Sequence, residues 1–303
     1  MKCKKCGSEL IWLSDSDLDG DKSGVTSFFT CLECDEDIEI NSVLVDGNPV
    51  YINTIYNEDC LKGMTLLPDN CIDMILTSPP YDDLRTYNGY SFDFESIARE
   101  LYRVLKPGGV MVWIVGDATV KGSETGTSFK QALFFKEIGF NLHDTMIYGK
   151  SNPMPNVNQK RYTQSFEYMF VLSKGSVKTF NPIMEPCTYA GSYTFGKPST
   201  WNESGELIKT DKRKINDFKK KSNIFYYTVG SITSKNIKHP AVFPEKLAED
   251  HILSWSNPGD IILDPFSGSG TTAKTALLHN RYYIGYEISK EYCDIAEERL
   301  CAL

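Results

Sequence analysis

Residues 77–81 read Thr77-Ser78-Pro79-Pro80-Tyr81 and follow an apolar run over Cys71–Thr77. Two adjacent prolines fix the backbone and remove two N–H donors. Their carbonyls are left with no proline N–H to compete for them. Ser78 adds a hydroxyl, and Tyr81 adds a flat ring that can stack. A strand ending in such a turn puts it at a carboxyl edge of an open α/β sheet, where ligands bind. Read alone, the five residues fit a proline-rich turn with a packing tyrosine equally well.

A second constellation is Asp264-Pro265-Phe266-Ser267-Gly268-Ser269-Gly270-Thr271-Thr272, after the apolar run Ile261–Leu263. Glycines between a strand and a helix let a ligand approach the backbone closely, and amides at a helix start favour polar or anionic groups. Glu287 closes the next apolar run, Tyr282–Tyr286. An acid about 20 residues past a glycine turn suits ribose hydroxyls. No Gly-Lys-Ser/Thr follows, so a P-loop is excluded. Together these residues imply a nucleoside-containing cofactor.

Cysteine supplies a third. The chain has nine, and the first four form two pairs, Cys3-x-x-Cys6 and Cys31-x-x-Cys34. Each pair fits a tight knuckle, and four thiolates at about 2.3 Å satisfy tetrahedral zinc with no position left for chemistry. The expectation is a structural zinc ribbon over residues 1–45, with strands at Glu9–Leu13 and Val25–Thr30 and the acidic Ser14–Asp21 stretch as a loop. The odd total argues against a disulfide framework.

The elements that must position these residues alternate from residue 50 onward. Strands are expected at Val50–Tyr56, Cys71–Thr77, Val110–Val115, Leu142–Tyr148, Tyr168–Leu172, Ile261–Leu263 and Tyr282–Tyr286. Helices are expected at Leu61–Leu67, Phe94–Leu105, Ser128–Ile138, Pro244–Ser254 and Thr271–His279, with a final helix ending at Arg299. Lys106–Gly109 is read as the stop of the second helix. Such alternation builds a mostly parallel sheet covered on both faces. No apolar run reaches the roughly 18–20 residues of a membrane span. The N-terminus lacks the apolar core of a signal peptide, so a cytoplasmic protein without a membrane partner is expected.

Charge is unevenly spread. The formal net charge is −8, yet residues 1–60 carry four Lys/Arg against thirteen Asp/Glu, whereas residues 174–238 carry twelve against five. The basic block is where a polyanion would sit. Within it, Lys212-Arg213-Lys214 and Lys219-Lys220-Lys221 lie near Trp201, Phe218, Phe225 and Tyr226, a pattern suited to phosphate contacts interleaved with aromatic ones.

Ser78-Pro79-Pro80-Tyr81 resembles the catalytic motif of amino-methyltransferases, Asp/Asn/Ser-Pro-Pro-Tyr/Phe, and Asp264–Thr272 resembles their cofactor motif. The catalytic motif comes first in the chain, an order that resembles the β class of bacterial and phage DNA methyltransferases. Asn57-Glu58-Asp59-Cys60 resembles the segment whose acid binds the cofactor adenine, which implicates Asp59. Asn152–Pro155, Arg161 and Glu167 resemble the stretch after the fifth strand. His239-Pro240-Ala241-Val242-Phe243-Pro244 resembles the motif beside the methionine end of the cofactor.

The resemblance implies a Rossmann-like, circularly permuted S-adenosylmethionine-dependent methyltransferase of bacterial or phage origin. Residues 46–176 would form its catalytic part, 177–238 an inserted target-recognition region, and 239–303 the cofactor-binding part. The substrate would be double-stranded DNA with the target base flipped out at a few kcal/mol. Arg85, with Asp82, Asp83 and Tyr87, follows the catalytic motif and would form a loop over base or phosphate. A homodimer and a companion restriction endonuclease, as in restriction-modification systems, are left open.

By the same resemblance the Ser78 hydroxyl and the Pro79 carbonyl accept the two N–H bonds of an exocyclic amine, and Tyr81 stacks on the base. A serine in first place is usual for cytosine-N4 enzymes and aspartate for adenine-N6 enzymes, so cytosine N4 is expected, with adenine N6 the alternative. A catalytically silent DNA-binding module and an RNA substrate are the rival readings.

Overall fold

The computed structural model describes residues 8–18, 21–31, 33–34, 36–45, 48–80, 92–155, 160–196, 198–229 and 244–303. The chain opens with an antiparallel four-stranded meander of β1 (Ile11–Leu18), β2 (Asp21–Cys31), β3 (Glu36–Val45) and β4 (Asn48–Ile52). The acidic stretch expected as a loop is instead strand: Ser14–Leu18 belongs to β1, and Leu18 already pairs with Asp21. Its alternating Ser-Asp pattern has the period of a strand, and an antiparallel sheet can turn one face to water. The Trp12 indole N–H donates to Asp15 at 2.8 Å. Cys31 ends β2 fully buried, and Cys34 sits in the turn to β3. Ile11 pairs with Thr30, so the chain enters β1 at the end of the sheet that carries Cys31 and Cys34.

The single strand expected over Val50–Tyr56 is two strands in two sheets. β4 ends at Ile52, and β5 (Thr54–Tyr56) begins the main sheet. Between them Asn53 has φ 55°, a left-handed conformation that asparagine tolerates better than most residues. Its N–H donates to the Tyr283 carbonyl at 2.7 Å, which anchors the bend.

There follow α1 (Cys60–Met64), β6 (Ile72–Thr77), α2 (Phe94–Val104), β7 (Leu105–Val115), the hairpin β8 (Thr119–Val120) and β9 (Ser123–Glu124), α3 (Thr127–Glu137), β10 (Asn141–Lys150) and β11 (Phe166–Ser173). Then come the short strands β12 (Met184–Pro186), β13 (Ser199–Trp201), β14 (Leu207–Lys209) and β15 (Phe218–Lys220). Last are β16 (Ile224–Tyr227), α4 (Glu245–Trp255), β17 (Ile261–Asp264), α5 (Thr271–Leu278), β18 (Tyr282–Tyr286) and α6 (Lys290–Cys301). Lys106–Gly109, expected as a helix stop, is already strand β7.

The main sheet has eight strands in the order β16-β10-β11-β7-β6-β17-β18-β5. Only β11 among them runs antiparallel to its neighbours. Its central strands are buried along both faces, as expected for a sheet sandwiched between helices. Ile75, Met111, Trp113 and Leu172 join one core with Ile97, Leu101 and Phe135 of α2 and α3. The alternate residues Met74, Leu76, Val112 and Val171 are equally buried. Helix α2 shows how the sequence dictates this. Asp93 caps it by accepting from Ser96 N–H, and its buried residues Ile97, Ala98, Leu101 and Val104 recur at helical spacing on one stripe. Burying a side chain such as Leu101 contributes about 1.5–3 kcal/mol.

Asn181–Asn223 forms a separate compact unit built of two short antiparallel pairs, β12 with β15 and β13 with β14. Residues 224–227, which the sequence reading assigns to the inserted region, are the edge strand β16 of the main sheet. No helix among the described residues is long and apolar enough to cross a membrane.

Candidate active site

Four neighbouring parallel strands, β6, β17, β18 and β5, end on one edge of the sheet. β6 leads into Ser78-Pro79-Pro80, β17 ends at Asp264, Glu287 follows β18, and Asn57–Asp59 follow β5. Residues from opposite ends of the chain therefore line one carboxyl edge, where open α/β sheets bind ligands.

The two glycine- and proline-rich turns are joined by a buried hydrogen bond. The Thr77 hydroxyl donates to Asp264 Oδ1 at 2.7 Å, across 187 residues of sequence. The same oxygen accepts from Phe266 N–H at 3.1 Å. Desolvation raises the Asp264 carboxyl above its ordinary range, opposed by hydrogen bonds from Thr272, Thr77 and Phe266. Pro79 is buried, and Ser78 and Pro80 are half-buried.

The turn after β17 is held from several sides. Ser267 N–H donates to the Tyr286 carbonyl at 2.9 Å, and the Ser267 hydroxyl to the Asp264 carbonyl at 3.0 Å. Gly270 sits at φ 74° as the residue before α5, and a Cβ there would lie 2.9 Å from that of Ala296. Only glycine meets both demands. Glu287 reaches back across the edge: its carboxylate accepts from Gly268 N–H at 2.9 Å and from Ser289 N–H at 2.8 Å. Burial raises this carboxyl above its ordinary range. Asn57 Nδ2 donates to the carbonyls of Glu287 and Ile288, tying the β5 corner to the β18 corner. Asp59 caps α1, its Oδ1 accepting from the N–H groups of Leu61 and Lys62.

A clamp that no motif signals completes the turn. Arg299 of α6 donates to the carbonyl and hydroxyl of Ser269 and to the Thr271 hydroxyl, and its other nitrogen bonds Glu245 at 2.8 Å. Lys274 bonds the same Glu245 oxygen at 2.8 Å. Against desolvation, these two cations hold the Glu245 carboxyl below its usual range. Arg299 lies 30 residues from Ser269, with no spacing rule to connect them.

The remaining expected residues lie elsewhere. Lys212, Arg213 and Lys214 are exposed in the Asn181–Asn223 unit, as are Lys219 and Lys220 of β15, while Lys221 is half-buried. Lys219 pairs with Glu185 at 3.0 Å. Trp201, Phe218 and Tyr226 are exposed, but Phe225 is buried in the main sheet, stacked on His251. Phe225 is thus a core residue, because β16 turns alternate side chains inward. Tyr81, Arg85, His239, Pro240, Phe243, Cys3 and Cys6 lie outside the described residues.

A family model described as DNA methylase, of the N6/N4 type, matches residues 72–298. The chain belongs to the N6/N4 DNA methylase family. The orphan methyltransferase M.BamHII of Bacillus amyloliquefaciens is 58% identical over 240 residues, which cover 77% of this methylase and 89% of that relative. A solved complex of M1.HpyAVI with SAM is similar at 25% identity and a TM-score of 0.54, covering 82% of the methylase and 98% of that chain. The cytosine-N4-specific PvuII DNA methyltransferase shares the fold at 22% identity and a TM-score of 0.60, over 81% and 85% of the two chains. The methylase thus has a methyltransferase fold with a central mixed sheet, and its family match spans every strand end described above except that of β5.

Proposed function

We propose that this methylase transfers a methyl group from S-adenosylmethionine to the exocyclic N4 of cytosine in double-stranded DNA. The observation that carries this is the Thr77–Asp264 bond, which sets the Ser78-Pro79-Pro80 turn beside the glycine turn. The SAM complex of M1.HpyAVI supports the choice of cofactor. The order of the two turns along the chain supports a circularly permuted arrangement, with residues 177–238 as the target-recognition region around its compact Asn181–Asn223 unit.

When bound, the cofactor supplies an electrophilic methyl group. The chain's task is to orient a poor nucleophile, since the lone pair of an exocyclic amine is conjugated with the ring. The Ser78 hydroxyl and Pro79 carbonyl accept hydrogen bonds from the two amine N–H groups and favour a pyramidal nitrogen, whose lone pair is withdrawn from conjugation; that nitrogen gives up one proton as it gains the methyl group. The proline at position 80 keeps the Pro79 carbonyl in place. Tyr81 stacks on the extruded base. Asp59 receives the cofactor adenine amine, Glu287 the ribose hydroxyls, and Asp264 with the following turn lies beside the cofactor, with His239, Pro240 and Phe243 at its methionine end. Positioning and preorganised polar groups provide most of the rate. Arg85 and the lysines and arginine of 212–214 and 219–221 contact the DNA.

The residues at one end of the N-terminal meander also fit structural zinc. Cys31 ends β2 and Cys34 lies in the turn to β3, and these two would hold the metal together with Cys3 and Cys6. Elemental analysis should give one zinc per chain, lost in Cys31→Ser; a metal-free native protein would remove the ribbon from this reading.

Ser78 is what selects cytosine over adenine here. The deciding experiment is methylation of unmodified DNA, digestion to nucleosides and mass spectrometry. N4-methylcytosine is expected. N6-methyladenine without N4-methylcytosine would overturn the choice of base, and no methylated nucleoside would overturn the activity.

A further inference from the structure

The β8–β9 hairpin leaves the same edge of the sheet as the Ser78 turn. Thr77 of β6 pairs with Trp113 of β7, and β7 runs only to Val115 before the chain turns through Gly116–Ala118 into the hairpin. Beside it lies a cleft of about 510 Å³ lined by Thr119, Lys121, Gly122, Lys160 and Arg161.

The lining is basic and braced. Three of the five residues are cationic, and among the described residues the carboxylate bonded to them is Glu124, 3.3 Å from Arg161. Arg161 also donates to the Thr119 hydroxyl and the Gly122 carbonyl, both at 2.9 Å. It spans the hairpin and fixes the two-residue turn. In that turn Lys121 has φ 49° and Gly122 φ 84°. Such a turn requires positive φ at both positions, which normally selects asparagine or aspartate before glycine. Lysine in the first position is strained, and backbone strain of this kind collects at functional sites. Here the strain sets an ammonium group at the tip of a rigid hairpin. Lys121 and Lys160 are both exposed.

We propose that this cleft binds a backbone phosphate of the DNA, outside the target-recognition region and next to the strand end that carries Ser78. The inference rests on the reading of the protein as a DNA methyltransferase. Two exposed ammonium groups act as point charges without fixed geometry, which suits a phosphodiester that positions the duplex and carries no sequence information. Arg161 holds the hairpin and is a positioning residue, with part of its charge already met by Glu124.

The test compares the full-length protein with a Lys121→Ala/Lys160→Ala double variant. Binding to a random-sequence duplex is titrated over a range of salt, with S-adenosylmethionine binding and methyl transfer measured in parallel. Loss of this phosphate contact should weaken binding about tenfold near 0.1 M salt and flatten the log–log salt slope by about 1. S-adenosylmethionine affinity should not change, and Lys121→Arg/Lys160→Arg should restore the slope. A wild-type slope in the double alanine variant would overturn the inference while wild-type methyl transfer still stood. Wild-type protein that neither binds nor methylates DNA would instead overturn the reading beneath it.

Discussion

The carboxyl edge of the main sheet and the Asn181–Asn223 unit put polar residues to opposite uses. At the edge, Asp264, Glu287, Thr77 and Arg299 are buried or half-buried; Thr77 bonds Asp264, and the other three each hold several partners at hydrogen-bond distance. In the unit, strands are three residues long, Trp201 is 69% exposed and Phe195 97% exposed, and Lys212, Lys214, Lys219 and Lys220 face water. A buried polar network is worth most when complete and fails when one member is removed. An exposed charged surface acts as a sum, in which each group is small and replaceable. The contrast is one between a part of the fold that fixes atoms and a part that gathers charge.

The sharpest way to break that contrast is at Ser78. Ser78→Ala removes one of the proposed amine acceptors and should lower kcat about 10²- to 10³-fold with cofactor affinity unchanged, as read by single-turnover methylation. A tenfold loss or less would mean that the edge does not depend on single atoms. Next comes Asp264→Ala, which strands the Thr77 hydroxyl and the Phe266 N–H in the interior. It should destabilise the protein by about 2–4 kcal/mol in chemical denaturation.

Glu287 adds a pH signature. Its carboxyl is raised by burial, so the stability tied to that group is present below the ordinary carboxylate range and declines as pH climbs through the raised value. Ribose hydroxyls need the ionised form. Cofactor affinity should therefore fall as the pH is lowered through the raised value, and Glu287→Gln should bind about 10- to 100-fold more weakly with a flatter profile. Calorimetry at several pH values would show it, and a flat wild-type profile would exclude this role. The smallest effect per residue belongs to the exposed unit. Lys212→Ala/Arg213→Ala/Lys214→Ala together should weaken DNA binding about tenfold and flatten the salt slope by about 2 to 3, with each single change contributing a fraction. A single change that abolished binding would show that this unit, too, works by fixed geometry.

Much of the edge could be read from the sequence because its parts are local. A strand runs into a proline turn within 72–80, and a strand, a glycine turn and the start of a helix follow one another within 261–272. The order of these pieces also carried the family resemblance. Bonds between distant residues could not be read. Arg299 on Ser269 and Asn57 on the Glu287 carbonyl come from tertiary packing alone. The bend at Asn53 was hidden because Val50–Tyr56 is apolar enough to pass as one strand, and only the left-handed residue divides it. The acidic β1 misled in the other direction, because charge suggested a loop where the period of two indicated a strand. Phe225 looked like an interface aromatic because it lies close in sequence to Lys219–Lys221, but alternation along β16 sends it inward.

The strand order also has a consequence for biosynthesis. β5 and β6 are made early and are separated by one short helix, yet in the sheet β17 and β18 lie between them. Until residues beyond 260 leave the ribosome, both early strands lack their partners on the facing edges. Unpaired edges of this kind invite association with other chains, and contacts this distant in sequence form late. The nascent methylase therefore carries its serine–proline turn for most of its synthesis without the aspartate that anchors it. Closure of the sheet and the joining of the Ser78 turn to Asp264 are one event, late in the life of the growing chain.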